Sequence, residues 1–254
     1  RGLVRLLDHV NLIIILGLIF GSFANVVIYR LPRGESVVFP ASRCPSCGHP
    51  LSAGDLIPVL GYIFLRGRCR YCGVSISPRY PLVEALMALL FLLVYLEYGL
   101  SITTLSGMVF SLVLVCSALI DHDLGIIPDA LTIPALLVGL LLAAFSGSLF
   151  SALAGGLALG GLFLALAVLS NGGLGGGDIK LAAVIGVFCA WPGALTALVL
   201  ISIIGGVYAL YLLLAKGAHR KTVIRFGPIL ALGAFLAFNY GYKWAGWYLS
   251  LFNR

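Results

Sequence analysis

Ala118-Leu-Ile-Asp-His-Asp-Leu-Gly-Ile-Ile-Pro-Asp-Ala-Leu-Thr132 holds three of the chain's nine acidic residues between two apolar runs, Ile102 to Ile120 and Asp129 to Phe145. A carboxylate beside hydrocarbon is costly to desolvate, so it is kept where protein or water surrounds it and where it does chemistry or moves ions. Asp121 and its neighbours are therefore the first candidates for function. Further on, Gly175-Gly176-Gly177-Asp178-Ile179-Lys180 brings one acid to the start of another apolar run behind a glycine stretch. The working expectation is that Asp121 and Asp178 meet.

Composition sets the class. Hydrophobic residues make up 61% of the 254 and charged residues only 10%, with a mean hydropathy of +1.11, against roughly 25% charged in soluble domains. This reads as an all-α polytopic membrane protein in a lipid bilayer. The net charge of +7 is not a nucleic-acid signal, because most basic residues fall in loops between apolar runs, as the positive-inside rule requires. Nucleic acid is not expected as a partner.

Runs near Asn11 to Tyr29, Pro81 to Tyr98, Ile102 to Ile120, Asp129 to Phe145, Phe150 to Ser170, Ile179 to Trp191, Ala194 to Ala215 and Phe226 to Leu251 predict about eight transmembrane helices. Asn11 to Tyr29 is too long for a signal peptide, lacks a small-residue cleavage site, and is expected to be a retained helix. Eight spans put Arg30, Arg33, Arg43, Arg66, Arg68, Arg70, Arg79, Lys180, Lys216, Arg220, Lys221 and Arg225 on one side, and Arg1, Arg5, Lys243 and Arg254 on the other. The richer side is expected to be cytoplasmic, with both chain ends outside and both acid loops on the cytoplasmic face. Residues 1–29, 30–80 and 81–254 are expected to form a first helix, a cytoplasmic metal-binding domain and a membrane core.

Between the first two helices lies Cys44-Pro-Ser-Cys47-Gly-His, followed after Arg68 by Cys69-Arg-Tyr-Cys72-Gly. Two Cys-x-x-Cys pairs predict a structural Zn2+ site of four thiolates, Cys44, Cys47, Cys69 and Cys72. Disulfides are the alternative, disfavoured on a reducing cytoplasmic side. His49 is expected to be a loop residue, and Cys116 and Cys189, within apolar runs, small hydrophobes. So small a domain has little core, so metal would supply folding energy rather than catalysis.

With these residues in view, the chain resembles the bacterial type IV prepilin peptidases along almost its whole length. Gly21-Ser-Phe-Ala-Asn-Val-Val-Ile-Tyr-Arg-Leu-Pro32 is close to that family's first-helix motif, with Ala24 where Leu is usual. The two Cys pairs, Asp55-Leu-Ile-Pro-Val, Leu65-Arg-Gly-Arg-Cys69, Ser77-Pro-Arg-Tyr-Pro-Leu-Val-Glu84, Leu119-Ile-Asp-His-Asp with Ile127-Pro-Asp129, Gly175-Gly-Gly-Asp178 and Phe226-Gly-Pro-Ile-Leu-Ala-Leu-Gly233 follow in the family's order. The resemblance implies an aspartyl endopeptidase of the GxGD class in the bacterial inner membrane. It would cut the leader from prepilins or pseudopilins at the cytoplasmic face, then N-methylate the new terminus from S-adenosylmethionine. It implies Asp121 and Asp178 as the catalytic pair.

The residues themselves admit plainer roles. Asp129 and Asp178 each suit a helix start, where an acid meets free amides and the helix dipole. A cap needs no three glycines, however, whereas backbone approaching a substrate strand does. Asp123, Asp129, Gly175, Gly177 and Lys180 are assigned to shaping the site, and His122 to a local loop contact. Asn25 is expected to bond helix to helix, and Glu84 to be either another first-turn acid on dipole grounds or a group facing the methyl-transfer or substrate-amine site. Residues 30–80 offer no glycine-rich nucleotide fold, so methylation rests on resemblance alone. A transporter or proton channel would also bury acids, but near the midplane and with repeat symmetry. Finally, the 13 steps from Asp178 to Trp191 reach roughly 20 Å, short of a core of about 30 Å. The glycine loop is therefore expected to dip below the membrane surface into a cytoplasm-open cleft.

Overall fold

A computed structural model describes residues 2–170, 173–216 and 225–250. Among these the chain is helical, with no strand. Helix α1 (Gly2–Arg30) runs into a 3-10 turn (Leu31–Arg33), and the short α2 (Leu60–Phe64) follows. Then come α3 (Arg79–Tyr98), α4 (Ile102–Leu124), α5 (Asp129–Phe145), α6 (Leu149–Leu169), α7 (Gly176–Cys189), α8 (Gly193–Lys216) and α9 (Gly227–Ser250). All but α2 coincide with the eight expected runs. Five spans among the described residues are long and apolar enough to cross a membrane: Leu7–Arg33, Arg79–Tyr98, Ile102–Leu124, Leu149–Leu169 and Gly193–Ala215. Helix α5 has 17 residues and α7 only 14; at 1.5 Å per residue α7 is about 21 Å long, less than the ~30 Å hydrocarbon core. Of the basic residues used to assign sides, Arg1, Arg220, Lys221 and Arg254 lie outside the described residues.

One boundary corrects the sequence reading. Asp121 does not end its helix: α4 continues to Leu124 and stops at Gly125, whose left-handed backbone (φ 71°) returns its amide to the Asp121 carbonyl. Glycine adopts that cap conformation without a Cβ penalty, so the acid sits one turn inside the helix end. The predicted break at Trp191-Pro192-Gly193 is present between α7 and α8.

The chain divides into two compact units, Arg1–Gly99 and Leu100–Arg254. In the first, α1 lies along α3. Asn25 donates to the Tyr80 carbonyl at 3.1 Å, the expected helix-to-helix bond. In the second, α5 and α6 both pack on α7, with Ala143, Ala152 and Val187 meeting in one buried cluster, and α9 fits against α4 and α8. Lipid tails are as apolar as leucine, so helices in a membrane gain by close approach and van der Waals packing rather than by escape from water. At the α6–α7 crossing, a Cβ on Gly155 would run into the Gly186 carbonyl and one on Gly186 into the Gly155 carbonyl. Aromatic packing adds to this: the Phe110 ring stacks on Phe188 at 4.7 Å and leans on Phe238 at 5.6 Å. Cys116 and Cys189 are buried, as expected of small hydrophobes.

The crossing generates a prediction. Gly186→Val should cost at least the ~1–3 kcal/mol typical of overpacking, because the obstacle is backbone and cannot rotate away. It should lower the unfolding temperature in detergent, while Gly161→Ala, where a Cβ meets open space, should leave it unchanged or slightly raised. Thermal unfolding of the two variants beside the parent chain checks this.

Candidate active site and metal centre

The first unit carries a four-cysteine cluster that could hold a metal ion. The Sγ atoms of Cys44, Cys47, Cys69 and Cys72 all lie within 4.8 Å of one another, and none of the described cysteines is in a disulfide. Local backbone builds the site twice over. The Cys44 amide donates to the His49 carbonyl at 2.9 Å and the Gly48 amide to the Cys44 carbonyl at 2.9 Å; the Cys69 amide donates to Val74 at 2.8 Å and Gly73 to Cys69 at 3.0 Å. Each loop closes with one isolated bridge, Arg43 to Pro50 and Arg68 to Ser75. Gly48 and Gly73 have φ 72°, which only a residue lacking a Cβ takes freely. The backbone amides of Cys47 and Ser46 draw the Cys44 thiol down to about 7, so a thiolate is available near neutral pH. The four sulfurs can hold a tetrahedral ion such as zinc. His49 is not among them; its ring packs on Tyr71.

Nearby, the Asp55 side chain accepts from the Ser52 hydroxyl at 2.8 Å and from Arg70 Nε at 2.8 Å. The Ser52 hydrogen bonds and the Arg70 charge hold its carboxyl below the ordinary aspartate range. Glu84, for which the sequence reading offered a first-turn acid or a group facing the methyl-transfer or substrate-amine site, lies in the sixth position of α3. It is buried between α1 and α3, accepts the Val59 amide at 2.7 Å and is hydrogen-bonded by Ser22.

The second unit assembles the acids. Asp121 is 7% exposed, and its Oδ2 accepts the Gly227 amide at 2.7 Å, which ties α4 to the first residue of α9. Its carbonyl accepts from Arg225 Nη1 at 3.2 Å and from the Gly125 amide at 2.8 Å. Asp178 is the third residue of α7, half-buried, and within electrostatic reach of the Asp121 carboxylate. It is not the cap of its helix, a place taken by Gly175. Two glycines of the loop are closely packed within the unit. A Cβ on Gly175 would stand 3.2 Å from Asp178 Oδ2, and one on Gly177 2.9 Å from the Cβ of buried Ile127. Only Gly176 faces open space.

Asp129 does not cap α5 with its side chain; Pro128 is the cap residue. Its two carboxylate oxygens instead take Lys180 Nζ at 2.6 Å each, joining the starts of α5 and α7. Both partners are about half exposed, so the pair is worth ~0–1 kcal/mol in stability and acts mainly to align the two helix starts. His122 Nδ1 lies 3.3 Å from Asp123 Oδ1, the expected local contact, and both are exposed.

The sequence reading missed Gly227 and Arg225, which meet Asp121 across more than a hundred residues of chain. A Cβ on Gly227 would stand 2.7 Å from the Asp121 Cβ. The signal was present in Phe226-Gly-Pro228, which marks a helix start that must lie against something.

Comparison with known proteins was made on this geometry. The family model described as Bacterial Peptidase A24 N-terminal domain matches residues 15–98, and that of the Type IV leader peptidase family matches residues 108–210. The chain is 35% identical to a prepilin leader peptidase/N-methyltransferase of Aeromonas salmonicida (strain A449), over 95% of this chain and 94% of that protein. It is 39% identical to one of Neisseria gonorrhoeae, over 91% and 90% of the two chains. It is 41% identical to one of Myxococcus xanthus, over 80% of this chain and 63% of that protein. No solved structure matches the chain significantly.

The four-sulfur cluster predicts that metal analysis of the reduced, detergent-purified protein will find one zinc per chain. Cys44→Ser or Cys72→Ser should lose it while the far-ultraviolet helix signal stays, because the membrane helices do not depend on the knuckles. Metal-free wild-type protein would overturn the assignment.

Proposed function

The chain belongs to the type IV leader peptidase family, and from that premise we propose that Asp121 and Asp178 are its catalytic pair. The enzyme is a prepilin leader peptidase and N-methyltransferase in a bacterial membrane: it removes the leader from prepilins and methylates the amino group so exposed. Nothing in the comparisons favours a transporter or channel. The observation that carries the pairing is that the two carboxyls, from residues far apart in sequence, lie within electrostatic reach of each other. Peptide hydrolysis by such a pair uses a water held between them. The ionised carboxylate takes the water's proton as its oxygen attacks the scissile carbonyl, and the protonated carboxyl polarises that carbonyl. The tetrahedral adduct collapses as the leaving nitrogen gains a proton, giving a leader carboxylate and a free amine. Two close aspartates share one proton and titrate as a unit.

Around the pair, Gly175 and Gly177 let the loop lie against Asp178 and Ile127, Lys180 and Asp129 align α7 with α5, and Asp123 shapes the rim. The topology that fits is eight spans in the inner membrane, with the basic side and the acids cytoplasmic and α7 too short to reach the inner boundary. Asp178 then lies in a water-filled cleft below the membrane surface, which is where irregular backbone such as the glycine loop is tolerated. Residues 30–80 form the metal-binding domain and 81–254 the peptidase core. Four thiolates complete a tetrahedron, so zinc is structural. S-adenosylmethionine supplies the methyl group; no nucleotide-binding βαβ unit stands among residues 30–80, so no side chain is assigned to hold it.

Asp121→Asn and Asp178→Asn should each abolish cleavage of a prepilin in detergent, read as loss of the leader-sized mobility shift, while the protein still inserts in the membrane. Asp123→Asn and Asp129→Asn should retain some turnover. Wild-type cleavage should fall at low pH, where both carboxyls are protonated and no base remains, and again at high pH, where both are ionised and no acid remains. Substantial turnover by either of the first two variants refutes the pairing.

A further inference from the structure

Residues 56–64, between the two cysteine knuckles, show an apolar surface that the fold of their unit leaves uncovered. Leu56, Ile57, Leu60, Ile63 and Phe64 are 40%, 47%, 50%, 58% and 77% exposed. The small core is made by other residues: Gly61 is buried against the Asp55 carbonyl, and Tyr62 packs on Gly67. On the short helix α2, Leu60, Ile63 and Phe64 stand at i, i+3 and i+4 and so share one face. A water-facing surface segment would not gather five such side chains.

The position of the segment says what covers it. Its Val59 amide is bonded to Glu84 at 2.7 Å, and Glu84 lies five residues into α3, the span Arg79–Tyr98. Five residues of helix are about 7.5 Å, and all 20 residues of α3 come to about 30 Å, no more than the hydrocarbon thickness. A segment fastened to Glu84 is thus about 7.5 Å inside the membrane boundary, the depth at which interfacial helices lie, and α3 itself exposes the apolar side chains Leu82 and Leu86 at that level, at 66% and 40%. Its backbone suits that place, since a donor left bare near hydrocarbon would be costly. Besides Val59, the amides of Leu60, Gly61, Ile63 and Leu65 are taken by Pro58, Ile57, Val59 and Gly61. The charges fit as well: Arg66 and Arg68 are exposed just beyond Phe64, and of the two acids that touch the segment's surroundings Asp55 is paired with Arg70 and Glu84 is buried.

We propose that residues 56–64 are an interfacial membrane anchor. The apolar face of Leu60, Ile63 and Phe64 lies in the boundary between headgroups and acyl chains, with Arg66 and Arg68 at anionic headgroups. Glu84 is the buried post that holds it there. The metal-binding domain is then seated on the bilayer by a third attachment besides α1 and α3. The two spans already bring the segment to the surface, so little intrinsic affinity is needed.

The test uses the full-length chain with Phe64→Trp, reconstituted in vesicles of phosphatidylethanolamine and phosphatidylglycerol. Its fluorescence is taken as the difference from the wild-type chain, whose other tryptophans are common to both. The added tryptophan should emit at shorter wavelength than in water, be quenched by phosphatidylcholine brominated at the headgroup end of the chain, and resist aqueous acrylamide. Adding Glu84→Ala should reverse both quenching patterns, whereas Glu84→Gln, which keeps an oxygen for the Val59 amide, should not. Prepilin cleavage by the Phe64→Trp vesicles verifies folding separately from the fluorescence readout. The proposal is overturned if acrylamide quenches the added tryptophan and bromolipid does not. It is equally overturned if protection appears only when prepilin is added, which would make the face a protein-docking surface.

Discussion

The hydrogen bond from the Gly227 amide to the buried Asp121 carboxylate, 2.7 Å long, is the contact on which the second unit depends. A carboxyl 7% exposed at the end of an apolar helix cannot be left to itself; a buried group without a partner costs the full price of its desolvation. The donor comes from the first residue of α9, so meeting the need of one side chain fixes where the last helix begins. It also requires glycine, because a Cβ there would collide with Asp121 itself. Arg225 adds a second tie through the Asp121 carbonyl. What reads locally as a helix-start motif is, in three dimensions, the floor of the acid site.

The same economy governs α7. Its 14 residues are too few to span a membrane, and its flanks are held rather than free: the glycine loop is packed on Ile127, and Lys180 is clasped by Asp129. At its far end Gly186 and Gly155 interlock backbone to backbone. A short helix wedged at both ends presents Asp178 to Asp121 with little freedom. That rigidity suits hydrolysis by two carboxyls, which works only while their oxygens stay within reach of one water.

Much of this was legible in the sequence because lipid imposes simple lengths and charge rules. The eight apolar runs fall where the helices form, and the spacing of four cysteines was enough to bring their sulfurs together. The end of α4 was misjudged, since an aspartate reads as a boundary while the cap, Gly125, lies four residues later. The partner of Glu84, the amide of Val59, could not be seen without the fold. Gly227 and Arg225 stayed hidden for the same reason: their meaning depends on a contact made across the whole second unit. Local signals of length, capping and ligand spacing survive in one dimension, and pairings between distant segments do not.

If Asp121 and Asp178 act as the proposed catalytic pair, they must hold a single proton between them at working pH. Infrared difference spectroscopy of the carboxylic acid carbonyl stretch, recorded on the wild-type enzyme and on each Asn variant, tests it most directly. The account predicts one protonated-carboxyl band at neutral pH that is lost or shifted in both Asp121→Asn and Asp178→Asn. A band unaffected by either substitution, or altered by only one of them, would contradict it.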